Sequence, residues 1–253
     1  MQEEKKKDIE ISVVLPAHNE AERIEDAVKQ TKKALADFSS SYEILIAEDG
    51  STDGTAEIAS RMASEDPFIT YLHSESRLGR GKALKYAFKL AKGDILVYMD
   101  VDLSTDLAYA KPLIDAIQEE HYDLATGSRL LKGSDVKRSF KRKTMSVVFN
   151  FLVRMILKST IRDHQCGFKS FRRDTLLRIL DEIEDEHWFW DTELLVRAQR
   201  NGYKIKEIPV RWEDKGGAGT KVNSFSDGTA MFYKIIKLRF NLRSENENHL
   251  LHG

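Results

Sequence analysis

Cysteine and long apolar runs are scarce in this chain, and each scarcity excludes a class of protein. The single cysteine, Cys166, has no partner within the 253 residues, so no internal disulfide can form and a reducing compartment is expected. No apolar run approaches the ~20 residues of a membrane-spanning helix. The first residues, MQEEKKKD, are charged and unlike a secretory signal peptide. These features predict a cytoplasmic protein that is soluble or peripheral on a membrane.

Net charge is nearly absent as well. The chain has 40 Lys and Arg residues against 41 Asp and Glu residues, a formal charge of -1, and this balance argues against a general nucleic-acid binder. The charge is unevenly spread, however, because residues 129–162 contain ten basic residues and a single acid, Asp135. We expect this basic segment to face an anionic partner.

Short apolar runs alternate with amphipathic stretches along the chain. They predict buried strands, separated by helices, at residues 9–15, 42–47, 69–73, 95–99 and 122–127, with a last strand at 204–212. This alternation indicates an α/β fold with a doubly wound, mostly parallel sheet and appended amphipathic helices. The expected organisation is a charged tail, one large domain, and an amphipathic C-terminal helix with its tail, at residues 1–8, 9–223 and 224–253.

Two acids follow the fourth of these strands. The run 95–99 is too short for a helix and rich in β-branched and aromatic residues, so Asp100 and Asp102 are expected at the carboxyl end of a buried parallel strand, where open α/β sheets bind ligands. Alternate residues of an extended segment point the same way, so both carboxylates can face one divalent cation that also binds substrate phosphates. Taken alone, an Asp-x-Asp pair is more typical of a turn that caps the next helix.

Polar residues also follow the second and third strands. Asp49 lies in a glycine-rich turn and is a candidate to accept a hydrogen bond from a nucleobase or ribose, although a well-made turn explains the glycines equally. Lys82, with Arg77 and Arg80, stands at a helix start where an anion can meet free amides. The spacing of a Walker loop is missing there, and no Gly-x-Gly-x-x-Gly follows the first strand, which disfavours a dinucleotide-binding domain.

The basic segment begins at Arg129, after the fifth strand, and leads into an apolar stretch at 147–157. Arg138 and Arg142 precede that stretch. A basic segment followed by an apolar helix is typical of an element that lies on an anionic lipid surface, and residues 231–242 repeat the pattern. A helix packed on the sheet with a solvated basic flank is the alternative explanation of the same residues.

A further acidic group lies among aromatic residues. Asp191 and Glu193 follow Trp188 and Trp190, a grouping typical of sites where a sugar ring stacks on an aromatic face while its hydroxyls meet carboxylates. A helix start with the aromatics in the core is the alternative, and for Glu193 we prefer it. His164 has no second histidine at a zinc-binding spacing, so it is not expected to bind metal.

Four stretches occur together in a characteristic order: VVLPAHNE at 13–20, EDGSTDGT at 48–55, DVD at 100–102 and GSR at 127–129. In this they resemble family 2 glycosyltransferases of the GT-A fold, in the branch that acts on dolichyl or other polyprenyl phosphates. The resemblance covers roughly residues 10–223. The later stretches are more similar to dolichyl-phosphate β-glucosyltransferases than to dolichyl-phosphate mannose synthases: DHQCGFKSF at 163–171, IPVRW at 208–212 and GTK at 219–221.

The resemblance implies a set of binding residues. The uridine or guanosine of a nucleotide-sugar donor would be held by the loops after the first two strands, at Pro16, Ala17, Glu20 and Asp49. Asp100 and Asp102 would hold Mg²⁺ or Mn²⁺. The phosphates of donor and acceptor would be met by basic residues, namely Lys82, Arg129, Arg138, Arg142 and Lys221.

The chain also departs from the family pattern at three places. Glu48 stands where many relatives have a first Asp, which leaves the base contact to Asp49. Ser104 stands where some mannose synthases have a metal-binding Gln, which leaves the third protein ligand open. The loop at 215–219 is longer than in the glucosyl relatives, which leaves the role of Lys221 open.

The implied reaction is an inverting hexosyl transfer from UDP-glucose, with GDP-mannose as the alternative donor. Metal bound at Asp100 and Asp102 would stabilise the departing diphosphate as a Lewis acid. A phosphate monoester is already anionic near neutral pH, with a second pKa of about 6, so this acceptor needs cationic positioning rather than a strong base. Asp191 would then bind sugar hydroxyls.

Two further hypotheses stay open at this point. A glycosyltransferase with a hydroxyl acceptor would need Asp191 or Glu193 as its general base. A non-catalytic nucleotide-binding module that docks on membranes would bind nucleotide and vesicles without moving a sugar, and it leaves the paired acids at 100 and 102 unexplained.

Overall fold

In the part of the chain that the computed structural model describes, residues 9–215 and 226–252, seven strands form one sheet and two form another. Side chains within the last helix are described for residues 228–245. In chain order the strands are β1 (Ile11–Ala17), β2 (Tyr42–Asp49), β3 (Ile69–Ser74), β4 (Ile95–Met99), β5 (Leu124–Ser128), β6 (Asp135–Lys137), β7 (Phe168–Arg172), β8 (Ile205–Pro209) and β9 (Arg211–Glu213).

The large sheet has the spatial order β3-β2-β1-β4-β7-β5-β8. Neighbouring strands run parallel except at β7, which is antiparallel to both β4 and β5. β6 and β9 pair as a small parallel sheet. The α-helices of the described residues are α1 (Ile24–Ala36), α2 (Thr55–Glu65), α3 (Arg80–Leu90), α4 (Ala110–Gln118), α5 (Phe140–Leu157), α6 (Arg173–Leu180), α7 (Trp190–Arg200) and α8 (Ser226–His252), and a short 3-10 helix, Leu107–Tyr109, precedes α4.

Helices cover both faces of the large sheet because successive strand side chains point in opposite directions. In β1, Val13 and Leu15 pack in a core with α1, α2 and α4, whereas Val14 packs in a second core with α3, α6 and α7. All five residues of β4 are buried, as its apolar run predicts. The predicted doubly wound, mostly parallel α/β fold is confirmed.

The structure differs from the sequence prediction at three places. The short strand β6 was not predicted, because its three residues, DVK, form no apolar run. β7 was not predicted as a strand, because its sequence FKSFR has Lys169 and Ser170 at its centre, and only tertiary partners make those residues buried. The single strand predicted at 204–212 is divided into β8 and β9. β8 pairs with β5 as far as Pro209, and the chain then pairs with β6 from Arg211 onwards.

A third apolar cluster joins α5 to α8. Its buried members include Val153 and Leu157 of α5, Val196 of α7, and Ile235 and Leu238 of α8. The amphipathic spacing predicted near the C-terminus is therefore used for helix packing. Among the described residues, no helix is both long enough and apolar enough to cross a bilayer.

Candidate active site

Asp100 lies immediately after β4, against the backbone of Gly167 just before β7. The Asp100 amide donates a hydrogen bond to the Gly167 carbonyl oxygen at 3.0 Å. A Cβ atom added to Gly167 would lie 1.9 Å from Asp100 Oδ2, so only glycine leaves room for this carboxylate. In the turn that follows, Asp102 Oδ1 accepts a hydrogen bond from the Ser104 amide at 2.9 Å. The unpredicted strand β7 thus helps to form the site.

The electrostatics of this strand end favour a cation. Burial raises the pKa of Asp100 to about 6, and the nearby charge of Asp102 adds to the effect while Arg80 opposes it. Among the described residues, no group of three or more His, Cys, Asp and Glu side chains is placed to hold a metal. Two carboxylates nevertheless fit Mg²⁺ or Mn²⁺, because such ions at phosphate-binding sites take one or two carboxylates and fill their coordination with substrate oxygens and water.

Arg80 is the cation that contacts Asp100 in this structure. The first residue of α3, it donates through Nη2 to Asp100 Oδ1, and its Nη1 lies 3.8 Å from Asp191 Oδ2. Its guanidinium carbon lies 5.4 Å from the Tyr98 ring centroid and 4.8 Å from that of Trp188. The sequence prediction noted Arg80 but selected its neighbour at position 82. No sequence signal separated them, because which helix face meets the site depends on how α3 packs.

Lys82 and Glu193 pair with residues outside the group around Asp100. Lys82 Nζ lies 3.1 Å from Glu186 Oε1, and its side chain is 47% exposed. Glu193 is buried and accepts hydrogen bonds from the Asp185 amide at 2.9 Å and from Arg197 Nε at 2.8 Å. Glu193 therefore stabilises the loop before α7, in keeping with the structural role preferred for it.

Asp191, by contrast, faces the site from the start of α7. It is buried, and its Oδ1 accepts hydrogen bonds from Lys169 Nζ at 2.7 Å and from the Tyr98 hydroxyl. Lys169 is itself fully buried and also donates to the carbonyl oxygen of Cys166. A network of buried groups thus joins Asp191 to β4 and β7.

The two tryptophans near Asp191 have different environments. Trp190 belongs to the core, where it stacks on Phe88 with ring centroids 6.3 Å apart. Trp188 is 54% exposed beside Arg80. Of these two tryptophans, only Trp188 therefore has an exposed ring that a ligand could contact.

The candidate nucleotide residues lie at the ends of β1 and β2. Pro16 and Ala17 are the last residues of β1 that pair with β2. Glu20 follows in the loop, its amide donating to Thr55 Oγ1 at 2.8 Å. Partial burial raises the pKa of Glu20; Arg23 opposes this, and the charges of Asp102 and Asp100 add to it. Glu20 is therefore close enough to the acid pair to interact with it electrostatically.

Asp49 has a structural role, because both of its carboxylate oxygens accept hydrogen bonds from backbone amides. Its Oδ1 accepts from the Leu78 amide at 2.6 Å and its Oδ2 from the Gly79 amide at 3.0 Å. Asp49 thereby holds the loop that precedes Arg80. The strand carrying it is not adjacent to β4, because β1 lies between them.

A second charged group lies after β5. Arg129 forms two parallel bonds to buried Asp163, with Nε 2.7 Å from Oδ2 and Nη2 2.8 Å from Oδ1. Burial alone would raise the pKa of Asp163, but this guanidinium holds it well below the usual range. Partial burial lowers the pKa of Arg138, and the charge of Arg129 adds to that effect. The Nε atom of Arg138 is buried and has no hydrogen-bond partner among the described residues.

The remaining predicted basic residues are not in this cluster. Arg142 pairs with Asp214, and its side chain is 42% exposed. Lys221 lies outside the described residues. The structure therefore brings Asp100, Asp102 and Asp191 near one cation, and Arg138 near Arg129, whereas Lys82 and Arg142 have partners elsewhere.

Comparison with known proteins gives a consistent result. Residues 12–180 match Glycosyl transferase family 2. The chain is 48% identical over 231 residues to glycosyltransferase AglD of Haloferax volcanii, which covers 90% of the chain but only 37% of that protein. It is 33% identical over 245 residues to dolichyl-phosphate beta-glucosyltransferase of Dictyostelium discoideum, covering 92% of the chain and 74% of the relative. The corresponding enzyme of Saccharomyces cerevisiae is 30% identical over 263 residues, with 95% and 78% covered.

A solved structure also shares the fold. Glucosyl-3-phosphoglycerate synthase from Mycobacterium tuberculosis, in complex with Mn²⁺, uridine diphosphate and glucosyl-3-phosphoglycerate, superimposes with a TM-score of 0.62. The identity is 22%, and the match covers 91% of this chain and 78% of that one.

Proposed function

The chain belongs to glycosyltransferase family 2 and has the GT-A fold expected from its sequence, and from this premise we propose that it transfers glucose from UDP-glucose to dolichyl or another polyprenyl phosphate. The family implies inversion at the anomeric carbon. Support for the acceptor comes from the Dictyostelium and yeast relatives, which are named dolichyl-phosphate beta-glucosyltransferases and which the chain matches over most of their length. The match to AglD covers only 37% of that protein's length.

The observation that carries the proposal is the separation of two charged sites at one edge of the sheet. Asp100 and Asp102 follow β4, and Arg129 and Arg138 lie after β5. The acids would hold Mg²⁺ or Mn²⁺, which as a Lewis acid stabilises the negative charge that forms on the departing diphosphate. The arginines suit an anionic acceptor, since buried guanidinium groups bind phosphate through directed hydrogen bonds.

Arg138 is the better candidate of the two arginines for direct phosphate contact. Arg129 already uses its Nε and Nη2 on Asp163, whereas the buried Nε of Arg138 has no partner among the described residues. A buried donor without a partner costs free energy, and a bound phosphate oxygen would remove that cost. The ion pair of Arg129 and Asp163 would then form one rigid side of the acceptor site.

The surroundings of Asp191 argue against the hydroxyl-acceptor hypothesis. A general base must accept a proton, but the Asp191 carboxylate has the buried Lys169 ammonium at 2.7 Å and Arg80 at 3.8 Å. Its Oδ1 already accepts two hydrogen bonds and its Oδ2 lies beside a guanidinium, so the carboxylate is occupied by donors rather than open to an acceptor hydroxyl. A phosphate acceptor needs no such base, because it is already ionised. Asp191 is better placed to orient Arg80 and sugar hydroxyls than to remove a proton.

An apolar surface on α5 and α8 suits contact with lipid on the cytoplasmic face of a membrane. We call its exposed apolar side chains the exposed apolar face. They are Phe140, Val147, Val148, Phe151 and Met155 of α5 with Phe232, Tyr233 and Phe240 of α8. Exposed basic residues of α5 lie among them, at Lys141, Lys143 and Arg154. Apolar side chains beside cations are typical of helices that lie on anionic bilayers.

Radiolabelled transfer tests the proposal directly. The protein is incubated with Mn²⁺ or Mg²⁺, polyprenyl phosphate and one of three labelled donors, UDP-glucose, GDP-mannose or UDP-N-acetylglucosamine. Label from UDP-glucose is expected in the organic phase, and label from GDP-mannose alone would replace glucose by mannose. If no donor labels the lipid while a free sugar or glycan is labelled, the hydroxyl-acceptor hypothesis replaces this one.

A variant assay then separates the roles of the two acids. Asp100→Asn is expected to abolish transfer. Asp191→Asn is expected to lower it while leaving its dependence on pH between 6 and 8 unchanged, because Asp191 is not a base. Loss of the acidic limb from the pH profile of that variant, the limb that protonation of a general base produces, would contradict this assignment.

A further inference from the structure

We propose that Arg80 is an internal counter-ion of Asp100 that would pair with the donor diphosphate instead when a metal ion binds that carboxylate. The inference rests on the proposed function for the identity of the site, and it adds a residue that the sequence prediction did not select. It has a consequence for binding: the metal and the nucleotide diphosphate bind much better together than the metal binds alone.

The position of Arg80 supports this role. Its guanidinium contacts Asp100 and lies 3.8 Å from Asp191, so it joins two acids that face the same space. Its side chain is only 12% exposed, and its Nε is buried without a hydrogen-bond partner among the described residues. Burial of a charge is costly unless the charge is paired. Arg80 is therefore held by acids on one side and retains an unused donor.

Metal and Arg80 compete for the same carboxylate. An ion bound to Asp100 would lie beside a guanidinium that contacts the same carboxylate, and two neighbouring cations in a partly buried site repel. A diphosphate removes this conflict, because its oxygens can bind the ion and accept the planar fork of an arginine at the same time. Asp191 would keep Arg80 near the site during the exchange.

The aromatic contacts explain how Arg80 could move and stay ordered. Its guanidinium carbon lies over the Tyr98 ring, 5.4 Å from the centroid, and over the Trp188 ring, 4.8 Å from the centroid. Tyr98 is fully buried, whereas Trp188 is 54% exposed. Contact with a ring face attracts a cation without fixing it in one hydrogen-bonded position. A shift towards the exposed ring would carry Arg80 away from the core.

Two binding measurements on the full chain test the proposal without any sugar transfer. Binding of Mn²⁺ alone is measured at pH 7.5 by the paramagnetic resonance of the free ion. Binding of UDP is measured by calorimetry at saturating Mn²⁺. The variants are Arg80→Gln and Arg80→Met, which remove the charge, and Arg80→Lys, which keeps it. Arg61→Gln is the matched control, because Arg61 pairs with Glu25 and Glu65 on the surface of α2.

The two measurements should change in opposite directions. Loss of the charge should tighten binding of Mn²⁺ alone by about tenfold or more, the equivalent of releasing a hydrogen bond to a charged group. The same variants should bind UDP in the presence of Mn²⁺ about tenfold more weakly, since a bond from arginine to phosphate is lost. Arg80→Lys should bind Mn²⁺ alone as weakly as the unaltered protein, and Arg61→Gln should change neither value.

A purely structural role predicts a different result. If Arg80 only packs the site, its neutral variants will bind Mn²⁺ alone no better than the unaltered protein, and the proposal is wrong. If Arg80→Gln does not fold, Arg80→Met keeps an apolar stem beside the Tyr98 and Trp188 rings and gives the same test. Because neither measurement uses an acceptor, a failure to label lipid would overturn the proposed function and leave this result interpretable.

Discussion

Gly167 is the residue on which the shape of the proposed metal site most directly depends. A Cβ atom there would lie 1.9 Å from Asp100 Oδ2 and 2.4 Å from its Cγ. Gly167→Ala should therefore displace the Asp100 side chain and weaken Mn²⁺ binding in the presence of UDP by about tenfold or more. Overpacking of this kind costs about 1–3 kcal/mol of folding free energy. Calorimetric titration and chemical unfolding measure the two effects.

Gly228→Ala is the matched control. Gly228 lies in α8 with nothing within 4 Å of an added Cβ, and alanine is favoured over glycine in a helix by about 1 kcal/mol. This variant should keep its metal binding and be as stable as the unaltered protein or slightly more stable. If Gly167→Ala binds Mn²⁺ and UDP as tightly as Gly228→Ala does, Asp100 is not the ligand that we propose.

His164 makes stability depend on pH. It is fully buried, with Nδ1 2.7 Å from Asn150 Oδ1 and Nε2 2.8 Å from Ser159 Oγ, and burial lowers its pKa to about 3. The unfolded chain binds this proton near pH 6.5, whereas the folded chain does not. As the pH falls below about 6.5, this group should therefore reduce stability by up to about 1.4 kcal/mol per pH unit until the folded pKa is reached.

Comparison with His164→Gln isolates that contribution. The variant should be less stable at pH 8, because a buried hydrogen-bonding group has been replaced, but its unfolding free energy should decrease less steeply between pH 6.5 and pH 4. Denaturant unfolding at several pH values measures both slopes. Equal slopes would show that His164 is protonated in the folded chain.

At the scale of elements, α5 uses its two sides differently. Val153 and Leu157 pack against α8, while Phe151 and Met155 are 57% and 66% exposed. The sequence left two explanations open, a packed helix and a lipid-contacting helix. The structure is compatible with both explanations, because helical spacing divides the apolar run between a buried face and an exposed face.

The exposed apolar face can be tested with vesicles of phosphatidylcholine and phosphatidylglycerol. Phe151→Ser combined with Met155→Ser should reduce vesicle association by about tenfold or more, because burial of each large apolar side chain is worth about 1.5–3 kcal/mol. Folding free energy should change little, since both side chains are exposed. Leu90→Ser, at another exposed apolar residue, is the control. Equal association of the two proteins would place the membrane contact elsewhere.

At the scale of the whole molecule, nucleotide binding should appear as thermal stability. A ligand at 100 times its Kd stabilises the folded state by about 2.7 kcal/mol, which in a chain of this size raises Tm by about 5–10 °C. UDP with Mn²⁺ should give such a shift, and GDP with Mn²⁺ a smaller one. Asp100→Asn should lose most of the UDP effect. A larger shift with GDP would favour the mannosyl donor instead.

The sequence by itself determined the features that depend on local pattern. The apolar run of β4 and the acids after it were readable, because a short buried strand and its end are encoded by neighbouring residues. The ordered stretches from 13 to 129 were sufficient to indicate the family. The buried side of α1 also follows from helical spacing, since its buried residues stand three, four, seven and eleven positions after Ile24 and so share one face.

Only the tertiary structure decided which charged groups meet. Arg80 contacts Asp100 across 20 residues, Lys169 reaches Asp191 across 22, and Asp49 holds amides 29 and 30 residues away. These pairs depend on the order of strands in the sheet and on the antiparallel insertion of β7, neither of which is a local property. A residue type and its spacing predict what a side chain can bind, but its partner is set by elements that fold together from distant parts of the chain.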